Sequence, residues 1–186
     1  NMKFGFDENY VKLNALHLGF DGWVAMPAEV GDPIDLDMTF ETKETSFKSL
    51  LSMVPAIYLT DFEDVKTEGQ LALSGSAKGR MVGDQLPAFK LDLMVDEARF
   101  QYPDLPKGAE KIAIDLHIQN PGGSDDNTVI DLNKFHVELA GNPVDMVVHM
   151  KTPISDLYIK AGINMNLDMA SLADVVPLEE GQSITG

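Results

Sequence analysis

Apolar residues at every second position are the feature that most restricts what this chain can fold into. Ile34, Leu36, Met38 and Phe40 alternate with Asp35, Asp37, Thr39 and Glu41. Phe89, Leu91, Leu93 and Val95 alternate with Lys90, Asp92, Met94 and Asp96, and Ile112, Ile114, Leu116 and Ile118 alternate with Ala113, Asp115, His117 and Gln119. A period of two sends the apolar set to one side of a pleated strand and the polar set to the other. Further strands are expected over 129–139, 144–150 and 157–167, the last with Leu157, Ile159, Ala161, Ile163, Met165 and Leu167 on one face. Leu71 and Leu73 begin another, and Gly75, Gly79 and Gly83 interrupt the segment after it. About ten strands result. The fold class is mainly β: an elongated, curved antiparallel sheet, or an open sandwich or groove, with two short helices.

Residues 1–26 are expected to form a hairpin turning at Asp21 and Gly22, a dipeptide suited to a tight turn. Pro27, Gly31, Asp32 and Pro33 then break the chain. After Thr45 or Ser46, either of which suits an N-cap, Phe47, Leu50, Leu51 and Val54 make one helical stripe, and Pro55 ends it. The same order of strand, short apolar segment and Val-Pro returns at Val176 and Pro177. Leu13-Asn14 matches Leu132-Asn133 at an offset of 119, and Pro55 matches Pro177 at 122. A repeat of about 120 residues is implied, each unit leaning on its neighbours to bury its apolar face. Residues 1–66 then hold the second part of one unit, 67–180 one nearly complete unit, and 181–186 the start of the next. In such a slice of a longer protein, cut strand edges invite edge-to-edge dimers.

Charge narrows the partners. A formal net charge of -16 repels phosphate backbones, so nucleic acid is not expected as a partner. There is no cysteine, which removes disulfides and thiolate metal sites. No run of about 18 apolar residues is present for a membrane-spanning helix. The chain opens at Asn1, and a removed upstream segment is expected.

Candidate sites of chemistry are weak. His17, His117, His136 and His149 each fall on the polar side of a strand, none at helical ligand spacing. Residues 121–128, PGGSDDNT, supply hard oxygens but lack the spacing and distal Glu of a calcium loop. Residues 74–79, SGSAKG, lack the phosphate-loop pattern and lead into a strand rather than a helix. No Ser, His and acid set carries a local signature. The expectation is a non-enzyme with no catalytic residues, metal or cofactor.

The helix ending in Val-Pro, then TEGQLALSGSAKG, LPAFKLDLMVDEARFQYPDLP and KIAIDLHIQNPGG, followed by a last strand and helix, resembles the AsmA family of Gram-negative envelope proteins. The likeness runs from about Leu13 onward and rests on strand, Gly and Pro patterns rather than on a catalytic signature. The family's membrane anchor is not found in this sequence. The resemblance implies a periplasmic protein, anchored in the inner membrane through its full-length form, with a role in outer-membrane assembly or phospholipid transport. It also implies repeated β modules, related to TamB-like and bridge-like lipid transfer proteins, whose apolar face holds lipid acyl chains.

The apolar strand faces can be read in two ways. In one, they close on each other as a β-sandwich serving as a structural or protein-interaction spacer among envelope proteins. In the other, part of the face stays open for lipid, with Phe89, Leu91, Leu93, Val95, Ile112, Ile114, Leu116, Ile118, Ile159, Ile163 and Met165 as the lipid-facing set.

Overall fold

The computed structural model describes residues 2–29, 31–43, 46–51, 66–101 and 106–172. Nine strands succeed one another in space in the order of the sequence: β1 (Met2–Leu13), β2 (Leu16–Met26), β3 (Ile34–Thr42), β4 (Lys66–Met81), β5 (Ala88–Gln101), β6 (Ala109–Asn120), β7 (Val129–Leu139), β8 (Asn142–Lys151) and β9 (Tyr158–Met165). Every neighbouring pair is antiparallel. The result is one open sheet with β1 and β9 as its edges. The closed sandwich is therefore not what these strands form: all nine share one sheet, and no second sheet faces it among the described residues.

Antiparallel order makes successive connections alternate between the two ends of the sheet. At one end lie the β1–β2 turn, the helix α1 (Phe47–Leu51) after β3, the β7–β8 turn, and the helix α2 (Met169–Leu172) after β9. Both helices therefore sit at the same end. Phe47 is buried there with Leu16, Leu71, Val95, Ala98, Ala109, Ile112 and Val137, the buried core of the molecule. The stripe read around Phe47 thus docks through its first residue. Val54, Pro55 and residues 173–177 of the second segment lie outside the described residues.

The core gathers at this end because the sheet bends there. Register slips occur between Glu68 and Gln70 in β4, Val95 and Ala98 in β5, and Glu110 and Ala113 in β6. Gly69, Glu97 and Lys111 have φ of 117°, 46° and 51°. A bulge adds a residue to one strand and raises its twist, which curls the sheet. Small residues fill the tightest place: Ala98 is fully buried, and a Cβ on Gly69 would lie 2.3 Å from its Cα.

Several sequence expectations change here. Asp21 and Gly22 do not turn the chain; β2 runs straight through them, and the turn falls at Asn14 and Ala15, with Asn14 in the left-handed region at φ 54°. Gly22 instead permits close approach, because a Cβ there would stand 2.0 Å from the Asp37 carbonyl oxygen. Gly75 and Gly79 do not interrupt β4 either. At Gly75 the missing side chain leaves room for the Phe40 ring, which a Cβ would meet at 2.3 Å.

The order hairpin, third strand, short helix occurs twice, as β1-β2-β3-α1 and β7-β8-β9-α2. The residue matching at an offset of 119 does not coincide with it. Leu13-Asn14 lies at a turn, whereas Leu132-Asn133 lies inside β7 beside a register slip. The helices begin 122 residues apart, at 47 and 169, while the turns at Asn14 and Ala140 are 126 apart.

Gly22→Ala is expected to lower stability by about 1–3 kcal/mol or more, since it meets both a positive φ and a backbone oxygen. Gly5→Ala, where a Cβ meets nothing within 4 Å, should stay within about 0.5 kcal/mol. Denaturant midpoints of the two variants compared with the parent chain provide the check.

Candidate functional site

The strand registers line up the apolar faces of all nine strands. One row crosses Leu73, Leu93, Leu116, Leu132, Val148 and Ala161; the next crosses Gly75, Leu91, Ile118, Ile130, Met150 and Ile159. On the other side of β4 the face continues through Phe40 and Phe20, and through Leu36, Val24 and Phe4. Most positions on this face keep apolar residues opposite one another, with Phe89 opposite Asn120, Phe20 opposite Asn9 and Leu18 opposite Thr42 as exceptions; a slip of one residue would turn an entire strand over. The outcome is a continuous apolar surface.

All eleven expected lipid-facing residues lie on this surface. Val95 and Ile112 belong to the buried core at the helix end, so they support the surface rather than present it. Phe89, Leu91, Leu93, Ile114, Leu116 and Ile118 are half-buried among their neighbours. Ile159, Ile163 and Met165 on the edge strand are 49%, 59% and 52% exposed. Phe4, Val24, Leu36 and Phe40, with Ile130, Leu132, Val148 and Met150, belong to the same surface and were missed. Their alternation was visible in the sequence. What it could not show was that β1–β3 and β7–β8 join the same sheet in matching register.

The opposite face is polar and tied by ion pairs across strands. Arg80 meets Asp35 at 2.9 Å, Lys78 meets Asp37 at 2.7 Å, and Lys111 meets Glu138 at 2.8 Å. The Lys3 ammonium sits 3.8 Å from the centre of the Trp23 ring. Three histidines join this pattern: His117 contacts Asp92 and, at 2.7 Å, Asp115; His136 contacts Asp145 at 2.7 Å; His149 contacts Asp131 at 2.6 Å. Both ring nitrogens of His117 face carboxylates, which leaves neither to activate a serine or a water. Among the described residues no group of three His, Asp or Glu is arranged to hold a metal ion, and no helix is long and apolar enough to cross a membrane.

At the end away from the helices, residues 121–128 form a built loop. Asn120, 2% exposed, donates to the Ser124 carbonyl at 3.0 Å and to Thr128 Oγ1 at 2.9 Å, and its Oδ1 accepts from the Gly122 N–H at 2.8 Å. Asp126 Oδ1 accepts from the backbone N–H groups of Ile154 and Ser155 at 2.9 and 3.0 Å, binding this loop to the β8–β9 connection. These bonds, first those from Ser155, hold the Asp126 carboxyl below its ordinary pKa. The oxygen is occupied by the protein's own backbone, as a structural turn requires.

At the helix end, a cleft of about 580 Å³ is bordered by Lys48, Lys66 and Arg99, and also by Glu68 and Glu110. Glu68 accepts from Arg99 at 2.5 Å, so its cationic side is already partnered in part. No protein-family model, curated protein or solved structure matches this chain.

A lowered Asp126 pKa means the unfolded chain takes up this proton first as pH falls. Its stabilisation is present above the unfolded carboxylate value, 3.8, and is lost as pH falls through the lower folded value. Asp126→Asn should therefore speed amide exchange at Ile154 and Ser155 at neutral pH and flatten the acid side of the stability profile. Exchange rates and acid titrations monitored by circular dichroism measure both effects.

Proposed function

We propose that this protein is a non-catalytic module of the bacterial cell envelope whose apolar sheet face holds or guides lipid acyl chains. One observation carries the reading: nine strands in matching register present a continuous apolar surface, and no second layer covers it among the described residues. Contiguous apolar surfaces of that size on a soluble chain mark binding sites for apolar ligands. Acyl chains suit it because the two rows carry only Leu, Ile, Val or Met from β5 to β8, with methyl-bearing side chains on both sides of each of those steps.

The resemblance to the AsmA family adds the setting. It supports a periplasmic location, inner-membrane anchoring of the full-length protein and a role in outer-membrane assembly or phospholipid transport. The net charge of -16 favours contact through tails over adsorption to anionic head groups, since like charges repel. Lipid is the partner this reading requires; envelope proteins docking on the same face are its competitor.

The test is native mass spectrometry of the full chain purified from a bacterial envelope fraction, with displacement titration of a fluorescent fatty acid. Co-purified phospholipid that leaves on organic extraction is the expected result. Ile159→Asp/Ile163→Asp, at exposed positions that should not compromise folding, is expected to weaken the probe by at least about tenfold, the equivalent of losing one buried aliphatic contact. A bare protein that also fails to bind the probe would overturn the lipid reading.

A further inference from the structure

The polar face carries a ladder that the lipid reading does not use. In the strand register Asp92 of β5 stands opposite His117 of β6, His117 opposite Asp131 of β7, and Asp131 opposite His149 of β8. Acid and imidazole alternate across four adjacent strands. Two of these three steps are direct contacts: His117 Nδ1 with Asp92, and His149 Nδ1 with Asp131 Oδ1 at 2.6 Å; His117 and Asp131 are joined by register alone. Asp115, on the same strand as His117, approaches its Nε2 at 2.7 Å.

We propose that this ladder is a proton-operated clasp centred on His117, which draws β5, β6 and β7 together when that ring is charged and slackens them when it is neutral. The inference stands independently of any bound lipid.

The electrostatics depend on the groups that face each ring. His117 meets Asp92 from β5 and Asp115 from its own strand, and Asp131 of β7 is its register partner on the other side. No lysine or arginine is opposite it in register. When His117 is neutral, Asp92 and Asp131 flank it in register with no lysine or arginine between them, and they repel. When it is charged, it bridges them. His149 meets Asp131 from β7, and Lys160 of β9 is its register partner, with the Tyr158 ring 6.2 Å away. Lys134 lies opposite Asp115.

The pKa of His117 is raised, chiefly by its hydrogen bond to Asp92; burial opposes the rise, and the nearby Asp115 and Asp92 charges add to it. A raised folded value fixes the sign. The contribution is fully present below the unfolded value, 6.5, and fades as pH rises through the folded one. The clasp lies behind the apolar rows. Asp92 falls between Leu91 and Leu93, and His117 between Leu116 and Ile118, so loosening it changes the backing of the surface that faces the other way.

The experiment is hydrogen–deuterium exchange of the full chain from pH 6 to 8.5, corrected for intrinsic chemical exchange and read over β5, β6 and β7. Protection should fall as pH rises, by up to about tenfold per pH unit for one linked proton. His117→Gln should give a low, flat profile. Asp92→Asn/Asp131→Asn removes most of the like-charge repulsion and should hold protection at pH 8.5 near its pH 6 level. A flat profile in the parent chain overturns the proposal, and so does a parental slope retained in both variants. Should His117→Gln not fold, the acid double variant decides alone: an unchanged slope sinks the clasp.

Discussion

Everything in this molecule depends on cross-strand register. Among the described residues no second sheet faces this one to correct a strand that pairs one residue out of step, so alternation and hydrogen bonding must agree at every step across it. Eight successive antiparallel pairings keep that agreement. Where the ladder slips, it does so through bulges that absorb an extra residue and restore the apolar face beyond, as Val95 and Ala98 do on either side of Glu97.

The two ends of the sheet are finished differently. At the helix end, bulges bend β4, β5 and β6 until Leu71, Ala98 and Ile112 pack under Phe47. At the other end, polar hydrogen bonding takes over: Asn120 organises the loop after β6, and Asp126 reaches the next connection. Between them, among the described residues, lies surface held by strand pairing and side-by-side contact. That division places the apolar rows where a flexible ligand can reach them, and it leaves the polar face to be held by charge. The ion pairs there are exposed, where water screens each single pair and leaves it little net weight. The acid-histidine ladder is distinguished by continuity across four strands rather than by the strength of any one contact.

Much of the architecture was legible because a strand's side chains report their own periodicity. The strands around Phe89, Ile112, Val129, Val144 and Ile159 were readable from alternation, and both short helices were placed at the right points in the chain. The errors share one cause. Glycine was read as a break or a turn at Asp21-Gly22, Gly75 and Gly79, whereas each lies inside a strand. A glycine that allows a close approach by Asp37 or Phe40 looks the same in sequence as one that turns the chain. The Leu-Asn matching failed for a related reason, since local likeness carries no information about which residue ends a strand.

Alternation was enough to establish a β-sheet with one apolar and one polar face, because it dictates the face of each side chain once the backbone is extended. It also placed histidine and aspartate on the polar side. Folding in three dimensions was needed to settle that all nine strands join one open sheet instead of closing into two, that the apolar faces run on as a single surface, and that Asp92, His117, Asp131 and His149 become neighbours. Those outcomes rest on pairings that reach as far as Ile34 with Met81, 47 positions apart, and on bulges whose positions depend on the partner strand. No local pattern encodes a partner.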